Sequence, residues 1–426
     1  MWRATLSSLC LILILGTCFS GCSDPWSVSR SAAGATAPGT LAFETATGFG
    51  RHTKGGRGGV VYEVTTLEDG DGPGTLRFAL LQRHPRVIRF AVSGIIMLER
   101  PLVIEQGNVT LEGQTSPRGV VVAGAPVEIR ADEVIVRYLR FRLGTFGQVG
   151  DSLNAIGCRS VIIDHCSMSW STDEAASFYN NEDFTLQYCL VTNSLRDSIH
   201  PKGRHGYAGI WGGRRASFLN NVIANHDDRL PRVNGHRMEA GYPVEQELVE
   251  IVNNFIYNWG KGNVYGAEDG KLDLIGNYYL PGPDSAAELF LLLYPSEQGV
   301  SEVYVAGNVY AGKQDLSDRN HAGVHEKRHS GSSLSQRLVN SRRVSEVRDI
   351  RPATELLTTL IRDRAAGANL VGEGPRLDSV DTAVYVQIEK SLNREPLEHA
   401  ILDHELEQIS SWEEYAREFE PAGVKQ

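Results

Sequence analysis

Between about Val109 and Tyr310 the chain returns repeatedly to one phrase, a short β-branched run, a polar residue and a second short apolar run. The copies are VIVRYLRF from Val134, VIIDHCSM from Val161, FTLQYCLV from Phe184, ASFLNNVI from Ala216, VEIVNNFI from Val249, LDLIGNYY from Leu272 and VYVAGNVY from Val303. Successive copies are 27 and 23 residues apart in the first group of three and 33, 23 and 31 apart in the last four, and the register slips once between the groups. Repeats of this size mean a solenoid, in which each unit buries its apolar face only against its neighbours. Alternating apolar residues broken by turn formers cannot form amphipathic helices of period 3.6, so the units are strands and the solenoid is a parallel β-helix. Asn221, Asn254, Asn277 and Asn308 recur at one place in successive copies. They read either as a ladder of stacked amides or as residues tolerant of a left-handed turn.

A solenoid needs its open ends covered. TLRFALLQ (Thr75 to Gln82) has apolar residues at helical spacing and is expected to cap the first coil. ATELLTTLIRDRAAG and SVDTAVYVQIEKSL, near the other end, also read as helices, expected to pack back on the solenoid. The expected organisation is a leader over 1–22, a tether rich in small residues over 23–40, the β-helix over 41–345 and a C-terminal extension over 346–426. The leader has a basic start, an apolar run from Leu9 to Leu15 too short to cross a bilayer, and the sequence Phe19-Ser20-Gly21-Cys22. It reads as an export signal of lipoprotein type, with Cys22 acylated. The expected location is secreted or at the cell surface, with membrane contact only through that anchor. Of six cysteines, Cys158, Cys166 and Cys189 remain beyond the leader. Their spacing fits no zinc pattern, and packing is the expected role, with one disulfide pair left open.

With 42 Lys+Arg against 52 Asp+Glu, the net charge of −10 argues against nucleic acid as a partner. Chemistry-bearing residues gather instead between Gly150 and Arg232. Asp151 and the pair Asp173, Glu174 flank the VIIDHCS strand, a placement suited to hard oxygen ligands. SIHPKGRHGYAGIWGG collects His200, Lys202, Arg204 and His205; the spacing of the two histidines supplies no third ligand for zinc. HDDRLPR presents Arg229 and Arg232, whose guanidinium groups suit carboxylates. The glycines of GRHTKGGRGG lack the GK[ST] of a phosphate loop and read as tight turns.

GFGRHTKGGRGG, VTTLEDGDGPGTLRFAL, VIIDHCSMSWSTDE, HPKGRHGYAGIWGG and RLPR, in this order, resemble the bacterial and fungal pectate lyases of polysaccharide lyase family 1. The resemblance implies a right-handed parallel β-helix, expected to be a monomer, that cleaves polygalacturonate by Ca²⁺-assisted β-elimination. By motif, Arg229 matches the arginine that removes the C5 proton, Lys202 the lysine on the substrate carboxylate, and Arg232 a second carboxylate clamp. His200 and Arg204 are expected beside the substrate, and Asp151, Asp173 and Glu174 around the metal. Val149 and Ser177 stand where acids are usual in that family. Two rivals use the same scaffold: a polygalacturonase-type hydrolase, for which Asp227 and Asp228 are candidate acids, and a surface protein that binds glycans without cleaving them.

Overall fold

The computed structural model describes residues 39–327, 334, 337–343, 345, 347, 349–372 and 374–421. The leader, Cys22 and most of the tether lie outside the described residues. Parallel strands wind into a β-helix, as the repeat requires. Nine short strands, from Gly94–Met97 to Val309–Tyr310, stack in register as one face. The other two faces are joined into a single 17-stranded sheet by hydrogen bonding. Two long strands, Ala176–Gln187 and Ile210–Leu219, run across both faces and make that junction. The interior is a continuous column of buried Val, Ile, Leu and Phe, which is why the apolar runs are short and β-branched.

The asparagines form the ladder. Asn221 donates through Nδ2 to Asn254 Oδ1 at 2.9 Å, Asn254 to Asn277 at 3.1 Å, Asn277 to Asn308 at 2.9 Å and Asn308 to Asn320 at 3.0 Å. The left-handed conformation belongs to the residue before each ladder position: Tyr138, His165, Tyr188, Asn220, Asn253, Gly276 and Gly307 all have φ between 50° and 66°. On this frame the register slip disappears. Cys166 and Cys189 occupy the ladder position in the earlier coils, and the Cys189 N–H donates to Asn221 Oδ1 at 2.8 Å. The three cysteines are buried free thiols, and Cys166 and Cys189 pack the ladder turn.

The helix Leu76–Leu81 starts where Thr75 Oγ1 accepts the Phe78 N–H, and it buries Leu76, Ala79 and Leu80 in the first coil. At the C-terminal side the segment expected as one helix is a 3₁₀ turn, Ala353–Glu355, followed by a π-helix, Leu357–Arg362. Ser379–Leu392 is an α-helix, N-capped by Asp378. Both pack on the nine-stranded face: Leu360, Val384, Tyr385 and Ile388 meet Leu190, Val222, Phe255 and Tyr257. Arg142 fixes the register of this docking from the β-helix side, donating to Asp378 and Asp381 at 2.8 Å inside the interface.

Candidate functional site

The loops that leave the nine-stranded face and enter Leu153–Ile156, Ala176–Gln187, Ile210–Leu219 and Arg232–Val233 stack on one another. Backbone pairing sets their register. The Asp173 N–H donates to Gly150 O, Glu174 bridges to Tyr207, and Tyr207 bridges to Asp228. Residues far apart in sequence therefore rise along one edge at roughly 4.8 Å per coil.

Asp151, Asp173 and Glu174, expected as metal ligands, do come together, with one carboxylate oxygen of each within 4.8 Å of the others. Burial, and next the charge of Asp173, push the Asp151 carboxyl well above the usual range. Crowded carboxylates of this kind are relieved by a divalent cation, so Asp151 and Asp173 fit calcium by charge and by donor type. Glu174 is partly committed elsewhere, because one of its oxygens forms an ion pair with Arg229. Val149 is an exposed apolar residue two positions before Asp151, and Ser177 is buried, accepting the Ile210 N–H at 3.2 Å. Neither supplies a further acid.

Arg229 has φ of 61°, the left-handed conformation that also recurs at the turns of this β-helix and costs an L-residue roughly 1–2 kcal/mol. Its guanidinium lies 4.2 Å from the Tyr207 ring centre and is held by Glu174, while its side chain stays 26% exposed to the groove. Arg232 is more enclosed. It pairs with buried Glu268 and lies 4.9 Å from the ring of Tyr294 and 5.2 Å from that of Tyr265. Burial raises the Glu268 carboxyl, and Arg232 opposes that shift. Lys202 and Arg204 are exposed on the 196–206 loop, the latter 3.9 Å from Asp227. Asp228 is pushed up to about 6, mainly by burial.

His200 and His205 stack with ring centres 3.6 Å apart, each with Nε2 3.7 Å from an Asp173 oxygen. The third ligand that their own spacing lacked thus arrives from the preceding coil, since all three donor atoms lie within 4.8 Å of one another. Glu268, Tyr265 and Tyr294 escaped the sequence reading. Glu268 carries a faint signal, an acid pair in YGAEDG one coil after RLPR; the tyrosines carry none.

The C-terminal segment ties down the loops that bear the site. Arg196 binds Asp403 bidentately at 2.9 and 3.1 Å, and its backbone N–H donates to Leu402 O. Thr145 donates to Glu405 at 3.0 Å, and Phe146 packs on Trp412 with ring centres 5.0 Å apart.

No family model matches the chain. It is 36% identical over 299 residues to the protein named "Probable pectate lyase C" of Emericella nidulans, covering 69% of this chain and 65% of that protein. With the Aspergillus fumigatus protein of the same name it shares 32% identity over 376 residues, covering 86% and 81% respectively. Among solved structures, the cedar pollen allergen jun a 1 superposes with a TM-score of 0.55 at 17% identity, over 76% of this chain and 92% of the allergen. A pectate lyase bound to a hexasaccharide gives 0.52 at 15% identity, over 78% and 98%. At those identities the structures establish the shared β-helix and nothing finer.

Proposed function

The chain belongs to the pectate lyase family, and from that premise we propose that it cleaves α-1,4-linked polygalacturonate by calcium-assisted β-elimination, releasing 4,5-unsaturated oligogalacturonides. The observation that carries this reading is the meeting, along one edge of the β-helix, of the Asp151/Asp173 pair with Arg229. A proton alpha to a carboxylate is a poor acid, because its removal puts a second negative charge beside the first. Asp151 and Asp173 would hold Ca²⁺, which when bound withdraws charge from the uronate carboxylate. Arg229 is assigned the C5 proton, with Glu174 fixing its guanidinium and Tyr207 supporting it from below. Lys202 and Arg204, on their exposed loop, are assigned to carboxylates of the incoming chain. Arg232 is assigned to the groove floor, where Glu268 fixes its guanidinium and offsets its charge. Each well-placed electrostatic contact of this kind is worth about 3 kcal/mol, or roughly a hundredfold in rate.

An ordinary guanidinium stays protonated, so the proton-accepting role of Arg229 is tested directly by substitution. Arg229→Lys and Arg229→Ala should both abolish the ultraviolet-absorbing unsaturated product. Near-normal turnover in either removes Arg229 from the mechanism. Chelator should abolish product from polygalacturonate; activity on highly methylated pectin without calcium would move the reaction to another lyase class. Export and lipid anchoring at Cys22 complete the proposal, and Cys22→Ser should release the enzyme from the membrane fraction.

A further inference from the structure

We propose that Asp173 and His205 form the core of a second divalent-cation site, containing nitrogen as well as oxygen, that takes a transition ion of the Zn²⁺, Co²⁺ or Ni²⁺ class and shares Asp173 with the oxygen-only set. The His205 Nδ1 lies 3.0 Å from Gly203 O. A carbonyl can only accept, so Nδ1 carries a proton and Nε2 is the nitrogen left to face Asp173. Metal-binding histidines are commonly oriented in this way. That nitrogen lies 3.7 Å from Asp173 Oδ1, too far for a hydrogen bond, and a His200 nitrogen lies within 4.8 Å of both. Metal–ligand bonds of about 2.0–2.2 Å at a tetrahedral angle separate two donor atoms by roughly 3.4 Å, so the observed gap needs closing by only a few tenths of an ångström.

His200 plays an unequal part. Its Nδ1 accepts the Lys202 N–H at 3.2 Å, which puts the ring proton on Nε2, pointing toward Asp173 Oδ2. Its ring also lies within 25° of parallel to that of His205, so the in-plane directions of the two Nε2 atoms do not converge on one point. His200 joins the coordination only by turning its ring and giving up the Lys202 contact. The site therefore starts from His205 and Asp173, with His200 as a recruitable third ligand. Imidazole selects first-row transition ions, whereas calcium takes six to eight oxygens. Because one carboxylate serves both sets, occupancy of one should weaken the other. The Arg196–Asp403 pair holds the base of the loop in place, since the His205 N–H donates to Arg196 O at 2.7 Å.

The test uses the untagged full chain, stripped with chelator, titrated with Zn²⁺ by calorimetry and with Co²⁺ by visible absorption. Saturable binding of one equivalent is expected, weakened about tenfold or more by His205→Gln and by Asp173→Asn, and less by His200→Gln. In the unsubstituted chain, Co²⁺ should shift the ring C–H proton resonances of His205 further than those of His200. No saturable binding, the result expected if His205 is instead a protonated partner of Asp173, overturns the proposal. So does binding unchanged in His205→Gln, or an unshifted His205 resonance at saturation. These readouts do not depend on lyase activity. Only the competition arm, in which excess Ca²⁺ raises the apparent Zn²⁺ dissociation constant, rests on the calcium reading, so loss of competition with Zn²⁺ binding intact counts against that reading and against the sharing of Asp173, not against the His205 ligand.

Discussion

Replacing Glu174 by glutamine separates the two tasks its position allows, holding Arg229 and binding calcium. The side chain is almost fully buried and its partner only a quarter exposed, so solvent screens the pair weakly. A hydrogen bond to a charged group contributes about 1.5–3 kcal/mol and one between neutral groups about 0.5–1.5. Glutamine still accepts a hydrogen bond from the guanidinium but loses the carboxylate charge, a difference of about 1–1.5 kcal/mol in the placement of the guanidinium. At 1.36 kcal/mol per tenfold this lowers kcat roughly five- to tenfold. Half-saturating calcium should move by less than about threefold, whereas Asp173→Asn, which removes ligand charge, should raise it by about tenfold or more. The assay is initial-rate formation of unsaturated product on polygalacturonate across a calcium series. A Glu174→Gln enzyme with unchanged kcat and a tenfold weaker calcium dependence would refute the reasoning, and would return Glu174 to the metal.

Asn254→Ala should destabilise the β-helix by about 3 kcal/mol, since it strands the buried Asn221 N–H and the Phe218 carbonyl that Asn254 now satisfies; denaturant unfolding reads this. Asp378→Ala leaves buried Arg142 with Asp381 as its remaining carboxylate and takes from buried Arg140 the carboxylate it pairs with, and should cost about 3–5 kcal/mol, with the C-terminal segment becoming sensitive to protease. Burial pushes Glu250 up to about 7 from an ordinary 4.5, against hydrogen bonds that lower it. Its contribution is fully present below about pH 4.5 and is lost as pH rises through 7, on the order of 3 kcal/mol at most. Glu250→Gln should therefore flatten stability between those pH values and be the more stable chain at pH 8 by thermal denaturation. Asp403→Asn frees the Arg196 loop and should raise KM for polygalacturonate severalfold while kcat changes less, measured on the calcium-saturated enzyme.

The repeat determined the β-helix by itself, because a chain whose short apolar runs recur every two to three dozen residues can bury them only by stacking. The helical cap at Leu76–Leu81 and the amide ladder were legible for the same local reason: each is a short motif whose partner is itself or its copy. The register was misread where Cys166 and Cys189 fill ladder positions, since a thiol and an amide look unlike in sequence while packing alike in the turn. The residue types of the site were also on the page, in Asp151, Asp173, Lys202 and Arg229. What only the tertiary structure decided was their pairing: Glu174 with Arg229, Arg232 with Glu268, and Asp173 with both Asp151 and His205. These partners sit on different coils, and irregular loops between strands erase any fixed sequence offset between them. Their proximity comes from backbone pairing at one coil per strand spacing, a constraint that exists only once the chain is wound.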